Sequence, residues 1–297
     1  MPSPATAAAA AGTWRLGDLT ICRMGFGAMR LPQRGPALTA GAPPRDRGEA
    51  IAVLRRAVEL GVNHIDTADF YFSSLRSANQ LINTALAPYP DDLVIVTKVG
   101  PRRDVAGEWM PAATPGELRG QVEQNLRQLG RDHLDVVNLR RMPSMGASIA
   151  EHLGALAELR DAGLIRHLGV SGVSPEDFAA ARAIAPIVCV QNAYSIGRST
   201  DPLLRICADQ GVAFVPFFSI AGAGRHAGPS AEPAELLAIA AAHGATPAQI
   251  RLAWTLQQGR HVLAIPGTGS VPHLEENVAA AALRLSEGEL SALADLD

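Results

Sequence analysis

Three side chains of complementary proton affinity stand near one another in the first third of the sequence. Asp66 closes the run Val62-Asn63-His64-Ile65-Asp66, and Tyr71 follows five residues later. Lys98 closes a second apolar run, Leu93-Val94-Ile95-Val96-Thr97-Lys98. An ammonium beside a tyrosine favours the phenolate, so it lowers the phenol's pKa from its ordinary value near 10. Such a phenol can protonate a developing alkoxide near neutral pH and retrieve the proton in reverse. Taken alone, an Asp/Lys pair is more often a structural ion pair, and a lone tyrosine is more often a packing residue. The chemical reading requires that the fold bring all three to one place.

The surrounding elements predict that it does. Val62–Asp66 and Leu93–Lys98 read as short buried strands with polar residues at their C-terminal ends. A small hairpin is expected at 14–22 around Gly17-Asp18. Met24–Phe26 then reads as a strand entering Gly27-Ala28-Met29, residues 31–48 as a loop, and 49–60 as a helix ended by Gly61. Further strands are expected at 134–139, 165–170, 187–191, 212–217 and 262–266, with helices between them, the one at 175–184 starting at Ser174-Pro175-Glu176. Eight short Val/Ile/Leu-rich runs alternating with helices suit a parallel sheet covered on both faces. The predicted class is α/β, a (β/α)8 TIM barrel with an N-terminal β-hairpin, formed as one domain by residues 13–297. The rival, a doubly wound nucleotide-binding sheet, lacks a G-x-G-x-x-G turn after its first strand. Gly222-Ala223-Gly224 comes too late and reads as a mobile loop.

In such a barrel the functional residues gather at the C-terminal ends of the strands. Those ends hold Gly27-Ala28-Met29, Asp66, Lys98, Arg140, Ser171, Gln191-Asn192, Phe217-Phe218 (with Ser219 beyond) and Gly267-Thr268-Gly269-Ser270. Nearly every one is polar or glycine. The turn 267–270 runs into a helix carrying His273, Glu276 and Asn277. Glycines there let backbone amides approach a phosphate, and a helix N-terminus adds positive potential. The loop after Tyr71 (72–76) and the glycine-rich loop 221–230 are expected to line the pocket.

Composition narrows the partners. The 297 residues are 47% hydrophobic and 19% charged, with a net charge of −3, so nothing draws the chain to nucleic acid or an anionic membrane. The three cysteines, Cys22, Cys189 and Cys207, lie in apolar runs without metal spacing and suggest buried thiols in a reducing compartment, the cytoplasm. His64 and Asp66 form an H-x-D pair on one strand face, but the other strand ends lack metal ligands, so no metal is expected. Residues 1–12, mostly alanine, read as a disordered tail without the basic start of a signal peptide. Oligomeric state is not readable from these features.

The chain resembles an aldo-keto reductase over essentially its whole length. The resemblance rests on M-G-F-G-A-M (24–29), N-H-I-D-T-A-D-F-Y (63–71), V-T-K-V-G (96–100), L-D-V-V-N-L-R (134–140), G-V-S (169–171), V-Q-N (190–192) and I-P-G-T-G-S-V-P-H-L-E-E-N (265–277). The fourth and last of these resemble the bacterial branch that includes pyridoxal reductases. The resemblance implies direct hydride transfer between a nicotinamide across the barrel mouth and a carbonyl carbon. Tyr71 would be the general acid/base, Lys98 would lower its pKa and Asp66 would pair with Lys98. Gly27, Ala28 and Met29 would lie along the cofactor. Ser171 and Gln191 fall at the carboxamide, Phe217 at the nicotinamide face with Phe218 and Ser219 beside it. Thr268, Gly269 and Ser270 fall at the adenosine phosphate, and Glu276 and Asn277 at the adenine.

Three positions depart from the pattern. Arg140 stands where the family usually ends its fourth strand with a histidine; an arginine cannot exchange a proton but can polarise a carbonyl or steady a phenolate. Gly172 replaces an asparagine. Gly267 and His273 stand where many members carry a lysine and an arginine for the 2′-phosphate. The expected cofactor is NADPH/NADP+, with NADH as the alternative, and the expected partner is a small carbonyl substrate, pyridoxal among the candidates. Two competing functions are a catalytically weak NADP-binding sensor or partner subunit on the same barrel, and a metal-dependent barrel hydrolase.

Overall fold

The computed structural model describes residues 7–220 and 232–296. After a hairpin of β1 (Thr13–Leu16) and β2 (Leu19–Cys22), the barrel strands are β3 (Phe26–Gly27), β4 (His64–Asp66) and β5 (Val94–Val99). A second small hairpin, β6 (Arg102–Arg103) and β7 (Trp109–Met110), interrupts them before β8 (Leu134–Arg140), β9 (Ile165–Ser171), β10 (Ile187–Gln191) and β11 (Ala213–Phe214). The seven barrel strands form one parallel sheet in the order β11-β10-β9-β8-β5-β4-β3. Segment 262–264 closes it, through bridges from Val262 to Phe214 and from Ala264 to Met24. Its backbone bonds run from Leu263 N to Phe214 O (2.9 Å) and from Ala264 N to Arg23 O (2.9 Å). The expected (β/α)8 barrel is therefore what the chain forms, with its first, seventh and eighth strands shorter than the apolar runs suggested.

Helices α1 (Arg47–Glu59), α2 (Ala78–Leu86), α3 (Leu118–Leu129), α4 (Ile149–Asp161), α5 (Pro175–Ile184) and α6 (Pro202–Asp209) fall between strands. After them come α7 (Ala234–Ala242), α8 (Pro247–Gln257), α9 (Val271–Ala279) and α10 (Glu287–Ala294). Local chemistry sets several starts: Asp46 and Ser77 accept from amides in the first turns of α1 and α2, and α4, α8 and α10 begin with full capping boxes.

Strand parity places the site. Val94, Val96, Val136 and Cys189 belong to the barrel-interior cluster, whereas Ile95, Val137, Leu139 and Val190 pack under the helices. Because successive side chains alternate faces, Lys98, Arg140 and Gln191 share the interior face with those residues. They lie at its C-terminal rim. Leu16 and Ile21 of the first hairpin join the same interior cluster and plug the opposite end.

The N-terminal expectation needs one correction. Ala8–Ala11 form a 3-10 turn with Ala8 and Ala11 buried, and Ala8 N donates to Leu60 O at 3.1 Å. Small apolar residues at this position dock against α1, so order begins before residue 13. Residues 1–6 lie outside the described residues. So does Gly222-Ala223-Gly224 with its loop 221–230, and the readings made for them stand as expectations only.

Candidate active site

The rim of the barrel encloses a cavity of about 420 Å3. Asp66, Tyr71, Lys98 and Arg140 all line it, together with Gly27, Met29, Ser171, Gln191, Phe217, Phe218, Ser219 and Gly267. Its centre is a buried ion pair. Lys98 Nζ donates to Asp66 Oδ1 at 2.5 Å and to Thr67 O at 3.0 Å, and Gln191 Nε2 donates to Asp66 Oδ2 at 2.8 Å. Both carboxylate oxygens are thus satisfied from different strands. The Lys98 ammonium lies 4.9 Å from the centroid of the Tyr71 ring, which is cation–π range.

Burial opposes the Lys98 charge, but the Asp66 carboxylate and the Tyr71 oxygen outweigh it and leave its pKa raised. The amine stays protonated. For Tyr71 the sequence-based expectation of a lowered pKa is not met. Burial, the largest influence, pushes the phenol up; the Lys98 charge and hydrogen bond, with the Arg140 charge, pull it back only in part. The lysine lowers the proton affinity relative to a phenol buried without it, while the net shift is upward because the phenol itself is buried.

A polar clamp stands behind these residues. Thr67 follows Asp66 and Thr97 precedes Lys98, so both threonines point outward into the helix layer. Thr67 Oγ1 donates to Asn79 Oδ1 (2.8 Å), Asn79 Nδ2 to Asn125 Oδ1 (2.8 Å) and Thr97 Oγ1 to Asn125 Oδ1 (2.6 Å). All four side chains are buried. Asn79 on α2 and Asn125 on α3 therefore tie together the two strand ends that carry the ion pair. Hydrogen-bonded buried networks fix geometry in this way. They were missed in the sequence because polar residues on amphipathic helices read as solvent-facing.

The residues expected along the cofactor divide into two groups. Ser171 and Gln191 sit at the cavity, and Gln191 Oε1 is buried with no hydrogen-bond partner. An orphaned acceptor at that place suits an amide N–H of a nicotinamide carboxamide. Phe217 and Phe218 meet edge to face at 4.7 Å, and Phe218 adopts φ 70°, a left-handed backbone uncommon for a bulky residue. Ala28 is buried in a 3-10 turn (Ala28–Arg30) and does not line the cavity. Thr268, Gly269, Ser270, His273, Glu276 and Asn277 also lie outside its lining, on the adjoining loop and the first turns of α9. Among them Thr268 and Asn277 are buried, His273 and Glu276 exposed.

Two of the departures have local causes. An ideal Cβ at Gly267 would come 2.6 Å from Gly27 O, and one at Gly27 would come 2.6 Å from Ile265 O. The first and last strands meet there with no room for a side chain. Gly172 has φ 69°, and a Cβ on it would lie 2.7 Å from Arg140 Nη1. Gly172 and Arg140 are thus one change in space, since the guanidinium fills the volume a side chain at 172 would need. Asn192 Oδ1 receives the amides of Gly172 (3.0 Å) and Val173 (3.1 Å) and holds this turn.

Several lining residues were not foreseen. Phe70, Trp109, Met142, Leu38 and Arg30 reach the cavity from loops and from the β6–β7 hairpin. Conversely, loop 72–76, expected in the pocket, is absent from its lining. Ser73 Oγ donates to Pro32 O and the Phe72 ring lies under Arg103, 4.8 Å away. Those contacts turn the segment aside. Among the described residues no group of three or more His, Cys, Asp or Glu could hold a metal ion. His64 is buried with Nδ1 unpartnered, and burial pushes its pKa down to about 4, so it is neutral. All three cysteines are free, and burial raises Cys189 and Cys207 to about 12, which keeps them as inert thiols.

Asp69, between Asp66 and Tyr71, gives a stability prediction. Its Oδ1 is buried and unpartnered, and burial raises its pKa to about 8. Between the unfolded value near 3.9 and about 8, the folded chain holds a proton that the unfolded chain has released, so stability falls as pH rises through this window. Asp69→Asn removes the titration. Its melting temperature, followed from pH 4 to pH 8, is expected to gain progressively on the native protein, by at least about 2 °C at pH 8, corresponding to roughly 1 kcal/mol. A constant difference across that range would show that Asp69 is solvated.

The barrel and the composition of its rim define an α/β enzyme-type site at the C-terminal face of a (β/α)8 fold. Residues 23–297 match the model of the aldo/keto reductase family. Pyridoxine 4-dehydrogenase of Escherichia coli (strain K12) is 49% identical over 95% of this chain and 96% of its own length. An uncharacterised oxidoreductase of Schizosaccharomyces pombe (strain 972 / ATCC 24843) is 38% identical over 96% of this chain and 89% of its own length. The crystal structure of an aldo-keto reductase from Klebsiella pneumoniae in complex with NADPH superposes with a TM-score of 0.78 at 28% identity, covering 96% of this chain and 94% of that one. The chain belongs to the aldo/keto reductase family.

Proposed function

We propose that this chain reduces an aldehyde or ketone to the alcohol with NADPH, with Tyr71 as general acid/base and pyridoxal as a candidate substrate. The observation that carries the reading is the convergence of a buried Asp66–Lys98 pair, the Tyr71 phenol and the orphaned Gln191 oxygen on one cavity. Bound NADPH would supply the hydride to the carbonyl carbon. Tyr71 Oη gives its proton to the carbonyl oxygen as negative charge develops there, so one hydride and one proton complete the alcohol. Lys98, kept cationic by Asp66, stabilises the phenolate left behind. In the reverse direction the same phenolate takes the alcohol proton. Ser171 and Gln191 would orient the carboxamide, and the Phe217 ring would support the nicotinamide. The likeness to the E. coli pyridoxine 4-dehydrogenase is what suggests pyridoxal. The three free cysteines support a reducing, cytoplasmic setting.

Steady-state NADPH oxidation with a panel of aldehydes that includes pyridoxal tests the reading. Turnover is expected with at least one of them. Cofactor binding without turnover of any carbonyl would favour the sensor alternative.

The cation missing from positions 267 and 273 has a replacement nearby. Arg45 Nη1 donates to Gly269 O at 3.2 Å and Nε to Arg30 O at 3.2 Å, so a guanidinium lies against the expected phosphate loop. Arg45→Met is expected to raise the NADPH Kd about tenfold, a loss of ~1.4 kcal/mol, while changing the NADH Kd far less. Titration of both cofactors checks this; an equal effect on the two would make Arg45 a loop brace only.

A further inference from the structure

Arg140 is a fixed cation that the carbonyl chemistry above does not need. Its side chain is half-buried, and among the described residues its one side-chain hydrogen bond is Nη1 to Ser171 Oγ at 3.1 Å. Among the described residues no carboxylate lies within ion-pair distance of it. Burial weighs against its charge, and the Tyr71 oxygen is close enough to influence it. A guanidinium withdrawn from water without a counter-ion is costly. It is held in place by stacking, Cζ lying 4.8 Å from the centroid of the Phe217 ring, and by Gly172, which leaves its space open. Arg140 lines the cavity, whose apolar walls include Phe70, Trp109, Met29 and Met142. The site therefore offers an incoming molecule a phenol for one oxygen, a guanidinium for a second oxygen beside it, and flat apolar walls.

From this arrangement we infer that the substrates are aryl aldehydes carrying an oxyanion on the ring carbon adjacent to the aldehyde, with Arg140 as the residue that selects them. The inference rests on the carbonyl-reductase reading and gives it a substrate class. In an ortho-hydroxy aldehyde the two oxygens project from one edge of a planar ring. The carbonyl oxygen meets Tyr71 Oη while the ionised hydroxyl meets the guanidinium, a charge-assisted hydrogen bond of the stronger kind. The ring lies between the aromatic walls. Pyridoxal, whose hydroxyl stands beside its aldehyde, is a member of this class. Arg140 also draws the carbonyl toward the phenol, so its effect falls on substrate affinity and positioning, with no proton exchanged by the guanidinium.

The test compares 2-hydroxybenzaldehyde with 4-hydroxybenzaldehyde, benzaldehyde and phenylglyoxylate, at a pH where both phenols are ionised. The two phenolates feed electron density into the carbonyl to a similar extent, so their ratio isolates geometry. With NADPH, kcat/KM for the 2-hydroxy compound is expected to exceed that for the 4-hydroxy compound by about tenfold or more, the range for one charge-assisted contact. In R140Q the ratio should fall to within about twofold, the loss appearing mainly in KM. A second readout separates this inference from the reductase reading. In the NADP+ complex of the native protein, which has no hydride to transfer to an aldehyde, quenching of Trp109 fluorescence reports binding alone. The 2-hydroxy aldehyde should again bind about tenfold more tightly than the 4-hydroxy isomer. Equal affinities, a ratio unchanged in R140Q, or a preference for phenylglyoxylate would each overturn the ortho-oxyanion class. Tight ortho-selective binding with no turnover of any aldehyde by the native protein would uphold the class and sink the reductase reading.

Discussion

Tyr71→Phe is expected to lower turnover about 10²–10⁴-fold, the range typical of a lost general acid, while leaving the Kd for NADPH nearly unchanged. The substitution removes one oxygen and keeps the ring, which packs edge to face on Phe70 at 5.1 Å. Stability should therefore change little. The pH profile supplies a second check. Because burial raises the phenol above its ordinary value, the protonated acid persists across the neutral range. Reduction should hold its plateau up to at least the usual tyrosine value near 10 and decline only above it. Alcohol oxidation needs the phenolate, and its rate should climb with pH over the same span. Undiminished turnover in the variant, or a reductive limb that falls near pH 7, would remove Tyr71 from the proton-transfer role.

Lys98→Met should be damaging twice over. It removes the cation that stabilises the phenolate, and it strands Asp66 in the barrel with only the Gln191 amide as partner. Both members of the pair are almost wholly buried. Removing one partner of such a pair costs roughly 3–5 kcal/mol, because a charge is left without compensation. Denaturant unfolding should show that loss as a lowered midpoint. The double variant Asp66→Asn/Lys98→Met should recover most of the stability and none of the turnover, since it restores neutrality without restoring the cation beside Tyr71. A double variant as unstable as Lys98→Met would mean that the loss came from packing rather than charge.

The Asp66–Lys98 pair was legible because a barrel strand announces both its end and its parity. Val94, Val96 and Lys98 share one face, and the hydrophobic run stops at the lysine; the same reasoning places Asp66, Arg140 and Gln191. Of the residues delivered by the path of a loop, Tyr71 was found through its phenol and the family resemblance, and the others were not legible. Phe70 and Trp109 reach the cavity, while Phe72 is turned away by Arg103, and no periodicity distinguishes the two outcomes. The Asn79–Asn125 clamp was hidden for another reason: buried amides on a helix look like exposed ones until their threonine partners are placed. The direction of the Tyr71 shift was misjudged because a sequence names the neighbouring cation but not the depth of burial. The seventh and eighth strands are short as regular ladders, although single backbone bonds continue beyond them, from Val215 N to Val190 O (2.8 Å), Phe217 N to Asn192 O (2.9 Å) and Gly27 N to Pro266 O (3.1 Å).

The meeting of Gly27 and Gly267 has a practical meaning for anyone redesigning this protein. The joint where the first and last strands close the ring is also the floor on which a dinucleotide would rest. A lysine engineered at 267 to strengthen phosphate recognition would have to displace Gly27 O, which stands 2.6 Å from the required Cβ. It would loosen the ring itself. Position 273, exposed on the first turn of α9, carries no such duty. Along this loop, evolvability is divided: one residue belongs to the architecture, and six positions later another is free to be tuned.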